Sequence, residues 1–164
     1  MILKQLLTVH KEKFRKKFVD AFAKANSLTP EQVQTEYKDT VEQYIDDKYR
    51  PVEQLTERIF KAERPVLLNI RRDRQRDDKC KLCEGNQPNV DEVAKKYWGR
   101  IDIVEVPEDR FEGGALYNII FHEEAAEKKL PLTAVINKGG VLKFWAGKTV
   151  EPAVYEMYIK KVLG

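Results

Sequence analysis

Cys80-Lys-Leu-Cys83 is the pair of residues whose type and spacing could do redox chemistry, and these are the only cysteines in the chain. Two thiols separated by two residues at a helix start can bridge with little backbone motion. Exchange needs a thiolate to attack a disulfide sulfur, and a second thiol to resolve the mixed disulfide that forms. The unpaired amides and dipole of a helix N-terminus favour the first thiolate. Lys79 and Lys81 would favour it further, while Asp77, Asp78 and Glu84 push the other way. Two rival readings stand beside this one. A structural zinc site needs four ligands, but the only histidines, His10 and His122, each stand alone, so no metal site is expected. The pair could also be a structural disulfide in a protein that binds and does not turn over, because fold does not dictate function.

His10 lies on the apolar stripe of a helix and reads as a packed, hydrogen-bonded side chain. His122, beside Glu123 and Glu124, reads as surface. From Arg71 to Lys81 run six basic residues (Arg71, Arg72, Arg74, Arg76, Lys79, Lys81) and three acids (Asp73, Asp77, Asp78). This run reads as a solvated loop; the sharper alternative is a flap beside Cys80 that selects protein substrates.

The chain has 164 residues, 42% apolar and 35% charged, with a net charge of +3. That charge is too near balance to point to nucleic acid. No run approaches the roughly 18 apolar residues of a membrane span. Lys4 and Gln5 interrupt the opening residues, which then run into Lys11, Lys13, Arg15, Lys16 and Lys17. This is not the order of a secretory leader, so the expected compartment is the cytoplasm.

Several elements must position the cysteines. Leu3, Leu6, Leu7, His10, Phe14, Phe18, Ala21, Phe22 and Ala25 recur at helical spacing up to about Asn26. Thr29-Pro30-Glu31-Gln32 carries a capping box and opens a second helix, expected to end near Tyr49 because Pro51 disfavours helical angles at Arg50. A third helix is expected over 52–61. Val66–Ile70 reads as a buried strand, and a helix from the cysteines should reach Trp98, with Pro88 a possible break near its start. Ile101–Val106 is a strand, Gly113-Gly114 a flexible stretch, and 116–129 a helix. Leu130–Ile136 and Val141–Trp145 flank the turn Lys138-Gly139-Gly140. Pro152–Val162 closes the chain as a helix.

Three local features together resemble the thioredoxin superfamily. Pro65-Val-Leu-Leu-Asn-Ile leads to Cys80-Lys-Leu-Cys83. Leu130-Pro131-Leu-Thr is similar to the family's Ile-Pro-Thr site. Asn137-Lys-Gly-Gly-Val, followed by Gly147, is similar to its final hairpin. The resemblance implies an α/β thioredoxin-like three-layer sandwich with a mixed central sheet over residues 50–164, preceded by a helical extension over 1–49. It implies Cys80 as nucleophile, Cys83 as resolving thiol, a cis proline at 131, and a substrate groove at Leu130 and Pro131. It also implies a protein disulfide as substrate, an upstream reductase and no bound cofactor. The alternative is a thioredoxin-fold interaction protein without turnover.

The sequence departs from that pattern at positions expected to modulate the site. Lys79 replaces the Trp before the first cysteine, and Lys81-Leu82 replaces Gly-Pro between the two. Asn69 falls where thioredoxins bury an acid, and an amide cannot act as a base. Helices replace the family's opening strand. They carry the expectation of a homodimer if they leave an apolar stripe uncovered. No nucleic acid or membrane partner is expected.

Overall fold

The structure is a computed structural model that describes residues 2–121 and 128–164; the expectation for His122 lies outside them. The first helix, α1 (Leu3–Ala25), buries Leu3, Leu7, Val19 and Ala23. Ala21 and Ala25, expected in its stripe, are exposed. The covered side faces α2, α3 and α5, and it carries Val19 and Ala23. Ser27, at φ 54°, makes the reversal into α2.

The second helix, α2 (Pro30–Glu36), starts as expected. Thr29 Oγ1 accepts from the Gln32 amide at 3.1 Å, and Gln32 Oε1 accepts from the Thr29 amide at 2.8 Å. The helix stops early. Tyr37 leaves helical angles at φ −117°, ψ 19°, and α3 (Lys38–Lys61) begins after it. The expected break at Pro51 is absent, and α3 runs through it and across the line between residues 49 and 50. A proline within a helix costs about 3 kcal/mol. Here Ile45, Tyr49, Val52 and Ile59 around it are all buried. Each such side chain contributes about 1.5–3 kcal/mol of burial, so packing outweighs the defect. Pro88 is absorbed in the same way within α4 (Lys81–Lys96), beside buried Gln87 and Val90.

The strands are β1 (Val66–Arg71), β2 (Asp102–Pro107), β3 (Leu132–Asn137) and β4 (Gly140–Ala146), in sheet order β2-β1-β3-β4. β1 and β2 are parallel and joined through α4; β1–β3 and β3–β4 are antiparallel. The β3–β4 turn has positive φ at both Lys138 and Gly139, which suits the right-handed twist of a hairpin. α5 (Phe111–Phe121) begins five residues before its expected start. Gly113 and Gly114 lie inside it. A Cβ at Gly113 would stand 2.0 Å from the Pro107 carbonyl oxygen, so the absent side chain is what lets α5 lie against the end of β2. The last helix is α6 (Pro152–Leu163).

Strand alternation sorts the core into two layers. Val66, Leu68 and Ile70 of β1, with Leu132, Ala134 and Ile136 of β3, join a cluster that includes the buried residues of α1, α2, α3 and α5. Leu67 and Val135 face the other way, with Val90, Val93, Tyr155 and Ile159 of α4 and α6. The result is a mixed sheet between two helical layers, a thioredoxin-like three-layer sandwich in which the N-terminal helices share one of the two cores. On the α4–α6 side, the buried Tyr155 hydroxyl donates to Thr133 Oγ1 at 2.8 Å and accepts from Asn86 Nδ2 at 2.9 Å. Replacing Tyr155 with phenylalanine strands both partners. Urea unfolding is expected to show a loss of about 1–3 kcal/mol; an unchanged midpoint would refute that role.

Among the described residues, no helix is long and apolar enough to cross a membrane. Phe18 stacks on Tyr44 at 4.4 Å between ring centroids, and Phe22 meets Tyr37 at 5.4 Å. The helical extension thus pairs these rings with one another, although Tyr37 and Tyr44 stay partly exposed.

Candidate redox-active site

Cys80 is the N-cap of α4, and its Sγ accepts the Cys83 amide at 3.2 Å. Cys80 and Cys83 form a disulfide with Cα atoms 5.2 Å apart. The two cysteines differ in burial: Cys80 is half-buried, whereas Cys83, one turn in, is 2% exposed. Lys81 and Leu82 between them are exposed, with Leu82 at 44%. The pair therefore sits where four amides lack helical partners and where a thiolate is favoured.

Residues 74–79 are exposed and 72 and 73 half-buried, yet the segment is internally tied. Asp73 Oδ1 accepts the Gln75 amide at 2.9 Å. Arg76 grips the Asp78 carboxylate with two bonds, at 2.8 and 2.7 Å. Arg74 grips Glu105 of β2 at 2.9 and 2.5 Å, and Lys79 Nζ donates to the Arg74 carbonyl. The Arg76 guanidinium holds the Asp78 carboxyl below the usual carboxylate range. The loop is thus pinned to the sheet edge. Its acid nearest the cysteines in this network is already engaged, leaving Lys79 and Lys81 as the adjacent cations.

Arg71 corrects the reading of this run as wholly solvated. It is the last residue of β1 and is 2% exposed. Its Nη2 donates to Glu84 Oε1 at 2.6 Å, its Nη1 to Gln87 Oε1 at 2.9 Å, and its Nε to the Arg72 carbonyl at 3.1 Å. Asn69 Nδ2 donates to the same Gln87 oxygen at 3.2 Å. Asn69 is buried as the sequence pattern implied, and its Oδ1 has no partner among the described residues. The missed residue carried a signal. Positions 67, 69 and 71 alternate onto one strand face, so extending the strand by one residue places Arg71 beside Asn69 under α4.

Arg71 also holds the Glu84 carboxyl below its ordinary value of 4.5. A carboxylate whose folded pKa is depressed contributes stability that is present above its unfolded pKa. That contribution is lost as pH falls through the folded pKa. Unfolding titrations are expected to show a loss of stability below about pH 4.5 that is smaller in Glu84→Gln. Identical acid limbs in the two proteins would contradict the pairing.

The Leu130–Pro131 peptide is cis, as the resemblance implied. The Pro131 carbonyl accepts from the Gly147 amide at 3.0 Å. Pro131 directly precedes Leu132, which pairs with Ile70, so it lies at the end of the sheet from which the loop to Cys80 departs. Leu130 is only 7% exposed. His10, far from the cysteines in sequence, bonds through Nδ1 to the Tyr49 hydroxyl at 2.8 Å, the packed role expected of it. Among the described residues, no three His, Cys, Asp or Glu side chains are grouped to hold a metal ion.

No family model and no curated protein matches the chain. Among solved structures it is similar to a malarial protein, at 19% identity over 60% of this chain and 97% of that one, with a TM-score of 0.46. It is also similar to chloroplastic thioredoxin z, at 17% identity over 67% of this chain and 88% of that one, with a TM-score of 0.49. The sheet order, the parallel β1–α4–β2 unit, the cis proline before β3 and the closing hairpin are this chain's own marks of a thioredoxin-like fold, and that fold carries a Cys-x-x-Cys disulfide at the start of α4.

Proposed function

We propose that the protein is a thiol–disulfide oxidoreductase acting on protein disulfides. The observation that carries this reading is the bridged pair at the head of α4, with Cys80 half-buried and Cys83 buried. In the reducing direction, the Cys80 thiolate attacks one sulfur of the substrate disulfide. That bond breaks, and the far substrate sulfur leaves as a thiolate. Cys83 then loses its proton to water or to the departing thiolate and attacks Cys80 Sγ. The Cys80–Cys83 bond forms, the second substrate thiolate departs, and two electrons have passed from the protein to the substrate. An upstream dithiol reductase returns the pair to the reduced form without a bound cofactor. Leu130 and Pro131 border the substrate, whose extended backbone pairs with the chain beside the proline. Such turnover belongs in a reducing compartment such as the cytoplasm.

Insulin disulfide reduction with a dithiol donor tests the reading. Turnover by the wild type, and its loss in Cys80→Ser, is the expected result. A wild type that turns nothing over would instead favour an interaction protein on the same fold.

A further inference from the structure

We propose that Arg71 is a positioning residue that holds a buried positive charge beneath the first turns of α4, makes the Cys80–Cys83 couple more oxidising, and is opposed in this by Glu84. The inference rests on the redox reading above and goes beyond it by naming what sets the poise of the pair.

The placement follows from helix geometry. Cys83 and Gln87 are four residues apart and share a face of α4, with Cβ atoms about 5–6 Å apart. Glu84 directly follows Cys83. Arg71 bonds both Gln87 and Glu84, so its guanidinium lies against the turn that leads from Cys83. It is fixed there by three bonds and shielded from water at 2% exposure. An arginine keeps its charge at any pH of interest. Its partner is less well placed to cancel that charge. The Glu84 side chain is 49% exposed, and water screens an exposed carboxylate far more than a buried cation. Asn69, the other polar residue of β1 on this face, is neutral.

Other charges face the same turn. Lys79 and Arg74 of the loop interact with Glu84. Asp91 of α4 accepts from Gln87 Nε2 at 2.9 Å, and Glu105 of β2 is taken by Arg74. Tyr155 of α6 stays protonated, its pKa pushed up by burial. Glu84 and Glu105 are each paired with an arginine, Asp91 is bonded to an amide, and Glu84 and Asp91 are exposed, while the guanidinium is buried. A net positive field at the helix start stabilises thiolate over thiol. It therefore stabilises the dithiol form, which contains the thiolate, relative to the disulfide.

Equilibration with glutathione buffers reads the poise directly. Arg71→Met is expected to move the equilibrium about tenfold toward the disulfide, equivalent to about 30 mV for a two-electron couple. Arg71→Lys should stay within threefold of wild type. Glu84→Gln, on the surface, should move the equilibrium severalfold the opposite way, toward the dithiol, and increase the thiolate absorbance of the reduced protein at neutral pH. A network that only holds the fold would move no variant, or all in one direction. If Arg71→Met does not fold, Glu84→Gln decides alone, and a shift under twofold overturns the proposal. A reversible couple that these variants leave in place overturns this inference and spares the redox reading. A wild type with no reversible couple overturns both.

Discussion

Cys83→Ser is expected to accumulate a covalent complex with its protein substrate, released only by added thiol. Cys80→Ser is expected to form none and to lose disulfide-reducing turnover to background. The asymmetry follows from access. The half-buried Cys80 at the helix cap can meet an incoming disulfide, whereas Cys83, at 2% exposure, can reach only the Cys80 sulfur. Removing the resolving thiol therefore stops the reaction after the first bond exchange, and removing the nucleophile stops it before. Non-reducing electrophoresis and mass spectrometry of the trapped species check this. Traps of equal yield in the two variants would mean that the roles of the two sulfurs are not divided as proposed.

Ile45→Ala is expected to cost about 2–5 kcal/mol of unfolding free energy. Ile45 is wholly buried on α3 and belongs to the core that also takes in Leu68 and Ile70 of β1 and Leu132 of β3. α3 is continuous from Lys38 to Lys61, so a defect at 45 is carried by the same helix that packs beneath the sheet. The loss should appear in one cooperative transition. It should be seen equally by helical circular dichroism and by Trp145, which meets Tyr155 at 5.2 Å in the opposite layer. Two separate transitions, with Trp145 unaffected by the substitution, would mean that the helical extension unfolds by itself.

The fold was legible where local chemistry leaves few choices. Pro65 before an apolar run, the turn Lys138-Gly139 and the Thr29–Gln32 capping box each report a geometry that backbone and side chain can satisfy in one way, and each is present. The misreadings lie where tertiary packing overrides local preference. Pro51 and Pro88 pass through helices because their neighbours are buried on both sides, and no local pattern carries that information. Gly113 and Gly114 read as flexible, yet they lie within α5, and Gly113 marks a close approach to Pro107. At the site, the cysteines and the cis proline were legible from spacing and resemblance. Arg71 was legible only through the alternation of β1, against the local reading that a charged residue at the mouth of a charged loop is solvated. What buries it is a pair of partners thirteen and sixteen positions away on α4.

The most direct test of the central claim is a redox titration of the wild-type protein in glutathione buffers, with the bridged and open forms counted by thiol alkylation. The account predicts a reversible two-electron transition confined to Cys80 and Cys83 and absent when either is replaced by serine. A pair that stays wholly bridged or wholly open across the range, or that never returns once opened, would contradict it.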